Sequence, residues 1–158
     1  MRMYWIHVSD SDKAKIREWV VSSFGEENED FLNFPWPYEV WVLFLEFLED
    51  LGVGKLYYKE VCKCCGPELH FDVTHPYAYP YEYLKLLEDT KMFEVREFFL
   101  NKLLNSKLLE SEKNKYILLS SFTLHDLPLL HLIAAHFYYK EKNTKTIDVL
   151  TNKFFERR

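Results

Sequence analysis

Apolar positions recur along this chain at two different periods. Between Ser9 and Gly25 the residues Ala14, Ile16, Trp19, Val20 and Val21 follow a helical spacing. Ser9, Asp10 and Ser11 stand before them as N-cap candidates, and Gly25 stands after them as a stop. The pattern predicts a helix ending near Phe24. A second helical stripe holds Val40, Trp41, Leu43, Phe44, Phe47, Leu48 and Leu51, entered through Phe34-Pro-Trp-Pro-Tyr38 and ended by Gly52-Val-Gly54. The acidic run Glu26 to Asn33 between these helices predicts a loop.

Alternation replaces the helical period from Lys55 onward. Lys55 to Cys62 and Glu68 to His75 predict the two strands of a β-hairpin, and Met3 to Val8 predicts a further strand. In the second hairpin strand His70, Asp72 and Thr74 point one way, and Leu69, Phe71 and Val73 the other. A four-residue loop, Cys64 to Pro67, would set Lys59 opposite Asp72, Tyr57 opposite Thr74 and Val61 opposite His70.

Beyond the hairpin the helical period returns over Tyr81 to Ser106, with a bend at Thr90, over Leu127 to Tyr139, capped by Thr123 to Asp126, and over Thr144 to Glu156. The segment 108–122 fits strand and helix equally. The resulting expectation is an α+β domain spanning 1–158. A small antiparallel sheet, the N-terminal strand plus hairpin 55–75, packs with about five helices.

Composition narrows the class. The chain has 158 residues, 48% of them hydrophobic, with four glycines and six prolines, which describes a folded chain with little linker. No stretch reaches the ~18 apolar residues a bilayer requires. The N-terminus lacks the apolar core of a signal peptide. The three cysteines crowd into Cys62, Cys64 and Cys65 rather than forming a disulfide framework. These features lead to an intracellular protein that is not a membrane partner. Net charge is −5, but unevenly placed: residues 1–54 carry 11 acidic and 4 basic side chains, and residues 55–158 carry 14 and 16. Phosphate would be repelled by the first part and tolerated near Lys55, Lys59, Lys63, Lys85 and Lys91.

Two chemistries compete for the hairpin. In the hydrolytic one, Asp72 and Glu88 hold a magnesium ion, which polarises a phosphate and acidifies a bound water. Lys59 stabilises charge on the transition state, and His70 acts as general base or orients the water. Glu88 lies between Leu84 and Met92 on a partly apolar helix stripe. In the other, Cys62, Cys65, His70 and His75 reproduce the ligand spacing of a retroviral-type zinc knuckle, with histidine in place of the last cysteine. Against zinc, His70 and His75 fall on opposite faces of a strand.

The size of the chain, its aromatic and Lys/Glu-rich character and its lack of glutamine resemble small orphan proteins of viruses that infect hyperthermophilic archaea. With Lys59 and Glu88 in view, it resembles more narrowly a nuclease of a filamentous virus of this group. The resemblance implies an α+β fold, cleavage of linear double-stranded DNA, location in the host cytoplasm, Glu88 as the essential acid and Lys59 as a second functional position. Asp72 followed by Asp89-Thr-Lys91 also echoes the acid-x-lysine pattern of restriction-like nucleases, although here that pattern falls on a predicted helix rather than a strand. The first functional expectation is therefore a metal-dependent DNA nuclease with Glu88, Asp72, Lys59 and His70 in its site. The alternative is a non-catalytic nucleic-acid-binding or virus–host interaction module carrying zinc.

Overall fold

In the computed structural model, residues 6–34, 36, 38–62, 66–76, 81–88, 92–104 and 128–142 are described. The chain divides into two compact units, Met1–Ala78 and Tyr79–Arg158.

The first unit begins with β1 (Ile6–His7) and α1 (Asp10–Phe24). Ser9 caps α1, its side chain accepting from the Asp12 N–H at 3.1 Å. Gly25 ends it at φ 99°, where a side chain would be strained, and its N–H bonds the Val21 carbonyl. The expected acidic loop is instead a 3₁₀ turn (Glu26–Asn28) and a short helix α2 (Glu29–Asn33). Burial overrides the polar pattern there. Asn28 is buried and donates to the Phe24 carbonyl at 2.7 Å, and Phe31 and Leu32 are fully buried.

Helix α3 (Tyr38–Asp50) buries the stripe expected of it, Val40, Trp41, Leu43, Phe44, Phe47 and Leu48. Strands β2 (Gly54–Cys62) and β3 (Gly66–Val73) follow. Helix α1 packs on β3 and α3 on β2. Leu69, Phe71 and Ile6 are buried, while Glu68, His70 and Asp72 keep solvent access, so the predicted division of faces holds.

The α+β class is as expected, and two details of the sheet differ. The order is β1-β3-β2, with β2 antiparallel to β3 but β1 parallel to it. A parallel neighbour needs a crossover, supplied here by the helices and β2 between them. The hairpin register is also displaced. Lys59 pairs with Glu68, not Asp72; Tyr57 pairs with His70, and Lys55 with Asp72. The cause is the turn: Gly66, at φ 75°, already pairs with Cys62, and a bulge between Glu60 and Cys62 absorbs one residue. Each partner moves by an even number of positions, which is why the faces survive the shift.

The second unit contains α4 (Tyr81–Glu88), α5 (Met92–Leu104) and α6 (Pro128–Lys142). The predicted long helix corresponds to α4 and α5, and the expected bend at Thr90 lies outside the described residues. Helix α6 packs on both α4 and α5. Its His136 is fully buried and hydrogen-bonds through Nδ1 with the Tyr83 hydroxyl. The segment 108–122, the cap 123–126 and the helix expected over 144–156 lie outside the described residues. No helix among the described residues is long and apolar enough to cross a membrane.

Candidate functional site

The open face of the sheet collects the polar chemistry of the first unit. Because β3 is central, an outward side chain on it can meet neighbours from both edges. His70 is flanked by Tyr57 on β2 and His7 on β1, its register partners on the two sides. The three rings form a near-parallel row: His7 to His70 at 4.7 Å and 19°, Tyr57 to His70 at 5.5 Å and 20°.

Glu68 lies two residues before His70, hence on the same face. One of its oxygens, Oε2, is 3.4 Å from the Nε2 of His70 and 3.4 Å from the Nε2 of His7. A single carboxylate oxygen therefore bridges two imidazoles on adjacent strands. One ligand atom from each of the three residues lies within 4.8 Å of one from each of the others.

A second carboxylate, Asp72, accepts a hydrogen bond from the Tyr57 hydroxyl. Asp12 approaches from α1, its Oδ2 accepting from the Val73 N–H at 3.3 Å. The Tyr57 phenol is raised above its ordinary value, first by the hydrogen bond that its neutral form makes to Asp72. Partial burial and the negative charges of Asp72 and Asp12 add to this. A raised phenol stabilises the fold fully below its unfolded value of about 10, and that contribution is lost as pH rises through the folded value. The phenolate absorbance assigned to Tyr57, taken as wild type minus Tyr57→Phe, should therefore titrate later than a free tyrosine. Asp72→Asn should bring it back toward about 10. An unchanged midpoint in Asp72→Asn would discard the pairing.

Lys55 and Lys59 stand exposed opposite Asp72 and Glu68, and neither forms an ion pair among the described residues. Of the residues the sequence singled out, the structure thus gathers His70, Asp72 and Lys59 on one face, with Lys59 beside the other carboxylate. Glu88 is the last residue of α4, in the second unit; its side chain lies outside the described residues, as do Asp89 and Lys91.

The described members of the cysteine–histidine set are spread along the hairpin. Cys62 pairs with Gly66, so His70 is four residues, about 13 Å, further along the strand. His75 lies beyond β3, where its N–H and that of Thr74 both bond the Val53 carbonyl at 2.9 Å. Cys64, Cys65 and the side chain of Cys62 lie outside the described residues.

His7 and Glu68 were not singled out from the sequence. The available signal was Ile6-His7, an apolar-polar step in a predicted strand, but parallel pairing to residue 70 leaves no local trace. Elsewhere a cleft of about 510 Å³ lies along α1, lined in part by Lys13, Arg17, Glu18, Glu26 and Glu29. Arg17 is already bound to Glu29 at 3.0 Å, and none of the residues above reaches this cleft.

No protein-family model matches the chain, and no curated protein or solved structure is significantly similar to it.

Proposed function

We propose that the chain is a metal-dependent nuclease acting on linear double-stranded DNA, working from the open face of its sheet. The observation that carries the reading is the gathering, on one solvent-facing surface, of His70, two carboxylates and two lysines that form no ion pair among the described residues. Phosphodiester hydrolysis needs these elements: a site for a divalent ion, a proton acceptor for the attacking water, and cations for the charge that develops on phosphorus.

A bound divalent ion would supply Lewis acidity and a more acidic water. The chain would supply the rest. Asp72, beside the Tyr57 hydroxyl, offers oxygen to a hard cation such as magnesium. His70, itself oriented by Glu68, accepts a proton from water. Lys59 and Lys55 lie on the neighbouring strand, where a phosphate crossing the sheet would meet them. Net charge does not favour DNA, so attraction would be local and steeply salt-dependent.

The test is cleavage of end-labelled linear duplex DNA with magnesium or manganese. EDTA is one control, and folded Asp72→Asn, Lys59→Ala and Glu88→Ala variants are the others. EDTA should abolish cleavage. Asp72→Asn and Lys59→Ala should each lower kcat by roughly 10²–10³-fold, the loss typical of removing one transition-state contact. Loss in Glu88→Ala would add the second unit to the machinery. Cleavage unaffected by Asp72→Asn and Lys59→Ala, or no cleavage under any ion, would overturn the reading. Salt-sensitive DNA retention without cleavage would replace it with a binding module.

A further inference from the structure

We infer that His7, Glu68 and His70 form a binding site for one transition-metal dication of the zinc class. The site stands on its own geometry and does not require the nuclease reading; with the ion bound, His70 is a ligand and not the proton acceptor proposed above.

The donor set makes the first argument. Two imidazole nitrogens and one carboxylate oxygen are the three-ligand complement of catalytic zinc sites, which leave a position open, and of two-histidine-one-carboxylate iron sites. Magnesium and calcium prefer oxygen throughout, so this trio discriminates against them. It therefore differs in chemistry from any magnesium position at Asp72.

Distance makes the second argument. Zinc–ligand bonds of about 2.0–2.1 Å in a tetrahedron place ligand atoms about 3.3–3.4 Å apart. Glu68 Oε2 is 3.4 Å from each imidazole Nε2. The third separation, between a ring nitrogen of each histidine, is at most 4.8 Å. Closing it falls to His7, whose side chain is 51% exposed and can swing, whereas that of His70 is 19% exposed and held between two rings.

The backbone makes the third. His7 and His70 are paired residues of adjacent strands, and Glu68 precedes His70 by two on the same strand. Strand pairing thus brings the donors to one side without long loops. Glu68 is partnered by imidazoles rather than by lysine or arginine among the described residues, so its charge is not already spent on a fixed cation. Solvent access at His7 leaves a path for the ion and a place for its remaining ligand.

The test is direct titration of the chelator-stripped full chain with Co2+, followed by Zn2+ competition and native mass spectrometry. The expected result is one equivalent of Co2+ with the visible bands of a low-symmetry site, displaced by Zn2+ but not by excess Mg2+. His7→Ala, Glu68→Gln and His70→Ala should each weaken binding at least about 100-fold, beyond the roughly 10–100-fold of outer-shell changes. Circular dichroism establishes that each variant is folded. Because the chain has three cysteines, a Cys62→Ser, Cys64→Ser, Cys65→Ser triple variant is titrated alongside and should bind normally. No Co2+ uptake by wild type would overturn the assignment. So would thiolate charge-transfer absorption lost in the triple variant, or binding that persists in His7→Ala and Glu68→Gln. Metal uptake without DNA cleavage would leave this site standing and remove the nuclease reading.

Discussion

Phe31→Ala should lower the stability of the first unit by about 3–5 kcal/mol, the range for deleting a fully buried phenylalanine. The ring is fully buried and meets three other aromatics: Trp36 at 5.1 Å, Trp41 at 5.7 Å and Phe44 at 5.2 Å between centroids. All three contacts are tilted or edge-on, the geometry that adds to simple burial. The backbone at Phe31 is also committed, since its carbonyl accepts from the indole N–H of Trp36 at 2.7 Å. Large rigid rings cannot collapse into the space left behind, so the cost should fall in the upper part of the range. Urea unfolding followed by tryptophan fluorescence reads this directly. The midpoint should drop with little change in slope. A loss under about 1 kcal/mol would mean that the aromatic cluster relaxes far more easily than close packing allows.

Gly54→Ala should be costly for the opposite reason. A methyl group at Gly54 would run into the ring of Phe71 and lie 2.5 Å from the carbonyl oxygen of Asp72. Neither obstacle is a flexible tip. Phe71 is fully buried, and the Asp72 carbonyl belongs to the backbone of the central strand. Relief requires the first residues of β2 to move away from β3, where Gly54 pairs with Val73. The expected loss is about 3 kcal/mol, the upper end for overpacking. The displacement should also reach the polar face, because Asp72 is the hydrogen-bond partner of Tyr57. The late titration of Tyr57 should shift toward that of a free phenol in the same variant. A wild-type melting midpoint for Gly54→Ala would contradict the close approach.

Different physical scales explain which parts of this molecule were legible in its sequence. Local chemistry was readable: Ser9 caps α1, Gly25 ends it, and the stripe from Val40 to Leu48 is buried. Strand alternation was readable too, and it set the faces of β3 correctly even though the partners were displaced. The partners themselves depend on how three residues and a bulge close the turn, and the pattern in the strands is silent on this. That silence placed Lys59 beside Asp72 when its partner is Glu68. Long-range pairing was wholly hidden. His7 and His70 are neighbours because β1 lies parallel to β3, across more than sixty residues of chain. The candidate site was therefore half visible: His70, Asp72 and Lys59 came from alternation in a local hairpin, while His7 and Glu68 required the assembled sheet.

The edge position of β1 has its own consequence. Among the described residues, Ile6 and His7 pair this strand with β3, and it lies at an edge of the sheet. Edge segments open at a lower free energy than the core they flank. An opening of β1 would take one end from the row of rings and one imidazole from Glu68. Anything that grips His7 and β3 together also fastens the strand, by mass action. Occupancy of this face and closure of the sheet edge are then one equilibrium seen from its two sides.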